Sequence, residues 1–138
     1  MLAMQTHITV YLIDDDEDDR TMIREAIESV IETASIAEFE NGYDFYLQME
    51  ALPLKTSHSM ILLDMNMPKM DGMELLRILR QHSSYSHIPV AIISTTVNQM
   101  LVRETRELGI EAYLTKPESV RSFRAGRYRS SDCYESCE

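Results

Sequence analysis

The sequence is short of cysteine: only Cys133 and Cys137 occur among its 138 residues. Two cysteines do not make the disulfide framework of a small secreted domain. A zinc site needs about four ligands, and no histidine lies near this pair. The first residues also lack the basic and apolar regions of a signal peptide. We therefore expect a cytoplasmic protein in which both cysteines stay reduced and are incidental to function.

Basic residues and long apolar runs are scarce as well. The chain carries 13 Lys and Arg against 23 Asp and Glu, which gives a formal net charge of -10. This charge argues against direct binding to DNA or to an anionic membrane, because both require basic surfaces. No apolar run approaches the roughly 20 residues of a membrane span. Since 138 residues suffice for one hydrophobic core, a single globular domain is expected.

Apolar segments with the length of strands alternate along the chain with segments of helical periodicity. Such alternation predicts an α/β fold, a parallel sheet with helices on both faces. We expect the domain core to span residues 1–118, followed at 119–138 by a short atypical helix or a loose tail. The predicted strands are 8–13, 36–39, 60–63, 90–93 and 111–114. The first predicted helix has its apolar positions at 22–31 and Asp18 and Asp19 near its start, which favour the positive end of the helix dipole. The other predicted helices cover a segment reaching about Leu52, 73–81 and 98–108.

The strand at 60–63 is the centre of this pattern. Its apolar residues are uninterrupted, as in strands that a parallel sheet buries on both faces, and they stop at Asp64. Open α/β sheets place their chemistry at the carboxyl ends of their strands. Taken by itself, Asp64 is a candidate nucleophile, metal ligand or turn-forming acid.

Other predicted strands also end at polar residues. Three carboxylates that meet at one sheet edge repel one another, and Mg²⁺ relieves that repulsion through oxygen ligands. A metal and a lysine stabilise a transferring phosphoryl group, which a carboxylate can accept covalently. The pattern therefore predicts a phosphoryl site at this edge. The residues are Asp14 and Asp15 after the first strand, Asp64 and Asn66 after the third, Ser94 after the fourth and Lys116 after the fifth.

Four segments resemble the motifs of the response-regulator receiver domain, the phosphoacceptor module of two-component signalling. They occur in the family's order, cover residues 8 to about 117 and include a highly specific run from Asp64 to Gly72. The resemblance implies a flavodoxin-like, doubly wound sheet of five strands in the order 2-1-3-4-5, in which the first and third strands are neighbours. The segments read LIDD at 12–15, LLDMNMPKMDG at 62–72, IIST at 92–95 and YLTKP at 113–117.

By this resemblance Asp64 is the phosphoacceptor. The family also implies a Mg²⁺ ion bound by Asp15, Asp64 and the backbone carbonyl of Asn66, with Asp14 supporting the metal. A sensor histidine kinase or a histidine phosphotransfer protein would donate the phosphoryl group, and hydrolysis of the aspartyl phosphate would reset the protein. Output would then pass to a downstream protein that the sequence does not identify.

Three further residues match switch positions of the family. Ser94 matches the hydroxyl that turns toward the phosphoryl group, although threonine is commoner there, and Lys116 matches the lysine that contacts the phosphoryl oxygens. Tyr113 matches the aromatic whose rotamer couples to the switch, with a half-buried aromatic on an edge strand as the alternative interpretation. The peptide bond between Lys116 and Pro117 matches one that is usually cis in the family.

The last twenty residues match the family less well. Val120 and Phe123 are compatible with the start of a fifth helix, but Gly126 interrupts the pattern, and arginines from Arg121 to Arg129 make a local basic cluster. A solvated short helix with a loose tail is preferred here over a binding surface. Because no effector segment follows the core, we expect a stand-alone receiver.

Other functions fit parts of the pattern. Phosphatases of the haloacid-dehalogenase type also use an aspartate after an apolar strand, but Asn66 replaces their second aspartate and little chain remains for a cap domain. A degenerate receiver would bind partners without being phosphorylated, although the set of acids, hydroxyl and lysine is complete. A DNA-binding regulator would need a larger basic domain.

Overall fold

The computed structural model describes residues 7–51, 53–95 and 98–116, and strands and helices alternate strictly within these ranges. The predicted order and type of the elements are confirmed there, with β2 starting earlier than predicted. The strands are β1 (Ile8–Ile13), β2 (Ala34–Phe39), β3 (Ser59–Leu63), β4 (Val90–Ser94) and β5 (Ala112–Thr115). The helices are α1 (Glu17–Val30), α2 (Gly42–Ala51), α3 (Gly72–Gln81) and α4 (Gln99–Glu107).

All five strands run parallel in the order β2-β1-β3-β4-β5, which confirms the predicted topology. Near the carboxyl end of β1, Ile13 pairs with Phe39 of β2 on one side and with Leu63 of β3 on the other. Leu63 in turn pairs with Ile92 of β4. Because the strands are parallel and in this register, the residues that follow them emerge at one edge of the sheet.

The central strands are buried on both faces of the sheet, which explains their uninterrupted apolar sequence. Successive residues of β3 point to opposite faces, so that Ile61 and Leu63 join one apolar cluster and Leu62 joins the other. Each fully buried Leu or Ile contributes roughly 2 kcal/mol to folding. The helices add Leu75, Leu76 and Leu79 of α3 to the first cluster and Met22 and Ile23 of α1 to the second.

A polar side chain caps the start of each of the four described helices. Asp16 caps α1 by accepting a hydrogen bond from the Asp19 N–H at 3.1 Å. Asp71 caps α3 and exchanges hydrogen bonds with Glu74 in a capping box, and Asn98 caps α4. Because α1 follows β1 and α3 follows β3 after short loops, both helices start at the sheet edge where the strands end.

Some predictions concern parts of the chain that lie outside the described residues. These include the fifth helix near Val120 and Phe123, the basic cluster at 121–129, both cysteines and the peptide bond to Pro117. The boundary between a core at 1–118 and a tail therefore stays a prediction. Among the helices in the described ranges, none combines the length and apolar character needed to cross a membrane.

Candidate functional site

Three aspartates lie together at the carboxyl edge of the sheet. Asp14 follows β1 and Asp64 follows β3, and the pairing of these neighbouring strands places the two residues side by side. Asp14 is fully buried and Asp64 is 3% exposed, whereas Asp15 is exposed. One carboxylate oxygen from each of the three lies within 4.8 Å of the others. Carboxylates this close resist being ionised together unless a cation is present.

Hydrogen bonds from the following loops orient the two buried carboxylates. Asp14 Oδ1 accepts a bond from the Asp16 N–H at 2.9 Å, and Asp64 Oδ1 accepts one from the Asn66 N–H at 3.2 Å. Both are local turns in which an aspartate side chain bonds to the backbone two residues later. These contacts hold the peptide of Asn66 beside the three aspartates.

Lys116, directly after β5, brings a positive charge to the site. Its backbone N–H donates to the Ser94 carbonyl at 2.7 Å, which fixes Lys116 beside β4. Its Nζ lies 2.8 Å from Asp14 Oδ2, 2.9 Å from Asp19 Oδ2 and 3.5 Å from Asp64 Oδ2. The lysine side chain is only 5% exposed, so these charges interact largely out of water.

Burial and neighbouring charges shift the pKa values of Asp14, Asp64 and Lys116. Burial, and next the charge of Asp14, raises the pKa of Asp64 to about 7, while Lys116 and the Asn66 N–H act in the opposite direction. Burial also raises the pKa of Asp14, again opposed by Lys116. For Lys116, burial lowers the pKa, but the carboxylates of Asp14 and Asp19 outweigh it and the net pKa is raised. Lys116 therefore stays protonated, and the carboxylates of the site outnumber this single positive charge.

The donor set suits a hard divalent cation, since carboxylate oxygens are the ligands that Mg²⁺ prefers. The Oδ2 atom of Asp14 is buried and lies 2.8 Å from the Lys116 ammonium, which also contacts the carboxylates of Asp19 and Asp64. One ammonium balances only one of these negative charges, and a divalent cation would balance the others. Asp14, Asp15 and Asp64 therefore fit a divalent metal.

Ser94 and Tyr113 form a buried side of the site on β4 and β5. Ser94 is fully buried, Tyr113 is 1% exposed, and their side chains are hydrogen-bonded. Burial raises the pKa of the Tyr113 phenol, the bond to Ser94 lowers it, and the charge of Asp64 raises it. The interpretation of Tyr113 as half-buried is wrong: β5 is an edge strand, but the ring packs in the apolar cluster that includes Val102 of α4.

Gly72 lets α3 begin directly against the loop after Asp64. Its N–H donates to the Met65 carbonyl at 3.1 Å. A Cβ at this position would lie 2.6 Å from the Asp64 carbonyl oxygen and 2.8 Å from Met65 Cα. Both are backbone atoms, so only glycine fits without moving the loop.

Asp19 also belongs to the site, whereas the sequence suggested for it only a favourable place near the positive end of a helix. It lies in the first turn of α1, and its Oδ2 accepts a hydrogen bond from Lys116 Nζ at 2.9 Å. The sequence could have identified Asp19 as a site residue by its distance from the helix start: a residue within one helical turn of the Asp16 cap stays at the sheet edge where α1 begins.

Comparison with known proteins agrees with this geometry. The family model described as the response regulator receiver domain matches residues 10–125. The cyclic di-GMP phosphodiesterase response regulator RpfG of Xanthomonas campestris pv. campestris is 30% identical over 118 residues. That match covers 86% of this chain and 30% of RpfG, so the chain spans less than a third of this relative's length.

Two solved structures share the fold. The Mn(2+)-bound form of response regulator Rcp1, a Synechocystis sp. protein, is 27% identical with a TM-score of 0.75, covering 90% of this chain and 92% of Rcp1. The phosphorylated cyanobacterial phytochrome response regulator RcpA is 26% identical with a TM-score of 0.74, and the match covers 87% of this chain and 89% of RcpA. These matches indicate two-component signalling and not a catalytic enzyme of the phosphatase class. The chain belongs to the response regulator receiver domain family.

Proposed function

We propose that this protein is a phosphoacceptor response regulator in which Asp64 receives the phosphoryl group. The observation that carries the proposal is the position of Asp64, buried at the end of β3 beside Asp14, Asp15 and the Lys116 ammonium. A carboxylate with an adjacent ammonium and metal-binding oxygens has what aspartyl-phosphate chemistry requires. The phosphorylated form of the relative RcpA supports the same function.

In the proposed reaction, an Asp64 oxygen attacks the phosphorus of a phosphohistidine on a sensor histidine kinase or a histidine phosphotransfer protein. The P–O bond forms as the P–N bond of the donor breaks, and the electron pair of that bond returns to the imidazole. Asp64 must be ionised to attack, and its raised pKa makes a neighbouring cation important. Water later hydrolyses the acyl phosphate, releasing inorganic phosphate and the free carboxylate.

Asp14, Asp15, Asp64 and the backbone carbonyl of Asn66 would hold Mg²⁺. When bound, the ion supplies positive charge that stabilises the transferring phosphoryl group. The acidic cluster, in which two of the three carboxylates are buried, supports this assignment. The relative Rcp1 has a structure in a Mn(2+)-bound form, which supports a divalent metal in this family.

Lys116 would pass from its carboxylate partners to the phosphoryl oxygens, and Ser94 would turn its hydroxyl toward the same group. Because Tyr113 is hydrogen-bonded to Ser94 and lies in the same apolar cluster as Val102 of α4, such a rotation would disturb Tyr113 as well. The change would then reach the surface formed by α4 and β5, where a downstream protein would bind. We place these events in the cytoplasm, since the sequence has only two cysteines and no predicted disulfide framework.

Intact mass spectrometry after incubation with acetyl phosphate and Mg²⁺ tests the proposal. The wild-type protein is expected to gain one phosphoryl group, and neither Asp64→Asn nor wild type in EDTA should gain any. Asp18→Asn removes an exposed carboxylate from the first turn of α1 and serves as the matched control, which should react like wild type. If wild type gains no mass and also fails to bind beryllofluoride, a phosphoryl mimic, the protein is a degenerate receiver that acts by binding alone.

A further inference from the structure

The contact between Asp19 and Lys116 joins two distant parts of the chain at the phosphoryl site. Asp19 lies in the first turn of α1, and Lys116 directly follows β5. The Nζ atom of Lys116 donates to Asp19 Oδ2 at 2.9 Å, whereas it lies 3.5 Å from Asp64 Oδ2. The ammonium is therefore held nearer to α1 than to the residue that would carry the phosphoryl group.

The carboxylates that contact Lys116 differ in how much it costs them to lose the ammonium as a partner. The side chains of Asp14 and Asp64 are 0% and 4% exposed, so leaving either without a cation is costly. The Asp19 side chain is 25% exposed and can be solvated when its partner leaves. An ion pair with one partly exposed member is weak and can exchange. The Asp19 contact is thus the one that Lys116 can most readily break.

We propose that Asp19 is a positioning residue that holds Lys116 toward α1 in the unphosphorylated protein and competes with the phosphoryl group for its ammonium. The inference rests on the proposed function, because Lys116 must have a phosphoryl group to move to. When Asp64 is phosphorylated, Lys116 leaves Asp19, and the Asp19 carboxylate turns to solvent. Asp19 thereby weakens the phosphorylated state relative to the resting one.

The charges of the site determine the direction of the effect. The carboxylates of Asp14, Asp19 and Asp64 lie within 3.5 Å of the Lys116 ammonium, Asp15 lies beside Asp14 and Asp64, and a phosphoryl group adds further negative charge. Removing the Asp19 charge frees the ammonium and also removes a like charge from the site, and both changes favour the phosphoryl group. Loss of the charge at residue 19 should therefore tighten phosphoryl binding.

The functional test measures beryllofluoride affinity in Mg²⁺ by fluorine NMR, together with the rate of phosphorylation by acetyl phosphate. Asp19→Asn is expected to bind beryllofluoride about threefold or more tightly than wild type, the effect expected from losing a partly exposed ion pair. Asp19→Glu keeps the charge and is expected to restore the wild-type affinity. Asp18→Asn removes an equal charge from the same helix turn without contacting Lys116 and should leave the affinity unchanged.

A second measurement detects the ion pair without any phosphoryl donor. The chain has three lysines, Lys55, Lys69 and Lys116, so the lysine ammonium signals in a nitrogen-15 spectrum can be assigned individually. The Lys116 signal should move in Asp19→Asn but not in Asp18→Asn, while the other two signals stay in place. In wild type the same signal should move again when beryllofluoride binds.

The outcomes separate this inference from the function on which it rests. If wild type accepts a phosphoryl group but Asp19→Asn binds beryllofluoride no more tightly than wild type, the positioning role is refuted and the phosphoacceptor function stands. An unchanged Lys116 signal in Asp19→Asn refutes it as well. If wild type neither accepts a phosphoryl group nor binds beryllofluoride, both proposals fail together.

Discussion

The ionised Asp64 carboxylate is unfavourable in the metal-free protein, and Asp64→Asn removes this charge while preserving the shape of the side chain. Asp64 is 3% exposed, and burial together with Asp14 raises its pKa to about 7. The Asn66 N–H that donates to Asp64 Oδ1 would find the amide oxygen of the variant in the same place. We therefore expect the substitution to stabilise the fold at neutral and alkaline pH in the absence of metal.

The size of the effect follows from the pKa difference. An acid with a higher pKa in the folded protein stabilises the fold while protonated, fully so below its ordinary value of 3.8, and this stability is lost as the pH rises through about 7. Since one pKa unit corresponds to about 1.4 kcal/mol, ionising Asp64 costs at most about 4 kcal/mol. Part of the ionisation cost comes from the charge of Asp14. The free energy of unfolding of Asp64→Asn should therefore exceed that of wild type by about 2–4 kcal/mol at pH 8 and by close to zero at pH 4.

Urea denaturation followed by circular dichroism, in EDTA and at several pH values between 4 and 8, measures this difference. Added Mg²⁺ should stabilise wild type more than Asp64→Asn and so narrow the gap between them. Asp18→Asn, which removes an exposed charge, should show no gain that grows with pH. Equal or lower stability of Asp64→Asn at pH 8, or a gain that does not increase with pH, would refute the reasoning.

Three further substitutions are each measured by urea denaturation; Lys69 lies in the loop after β3 and Gly72 at the start of α3, both beside the site, and Arg80 binds loops at the opposite edge of the sheet. Gly72→Ala should lower the free energy of unfolding by about 2 kcal/mol and slow the reaction with acetyl phosphate, because the new Cβ would lie 2.6 Å from the Asp64 carbonyl oxygen. An unchanged stability would contradict this tight packing. Arg80→Met should lower the free energy of unfolding by about 2–4 kcal/mol, because Arg80 donates to the carbonyls of residues 86, 88, 108 and 109. Arg77→Met, which changes an exposed arginine on the same helix, is the control and should change the stability little. Lys69→Gly should raise the free energy of unfolding by about 0.5 kcal/mol, because glycine adopts the left-handed backbone conformation at this position, φ 68°, without strain. A lower stability of this variant would show that the Lys69 backbone is not strained.

Much of the fold could be predicted because local pattern and burial agree along the chain. The run Met60–Leu63 has no polar interruption because neighbouring strands and helices on both faces bury it, and the structure places it at the centre of the sheet. The turn chemistry of Asn98 and Gly109 marks the two ends of α4, where the first caps the helix and the second has φ 85°. The sequence also determined which residues stand at the strand ends, since their positions follow directly from the strand boundaries.

The tertiary structure decided which of these groups touch and which are buried, because such contacts join segments far apart in the chain. Asp19 and Lys116 lie 97 positions apart, and only the folded chain brings the first turn of α1 and the residue after β5 into a contact of 2.9 Å. From the sequence, Tyr113 fits either a switch aromatic or a half-buried residue of an edge strand, and the structure leaves it only 1% exposed within the larger apolar cluster. The raised pKa of Asp64 likewise depends on burial and on neighbouring charges, which arise only when the strands assemble.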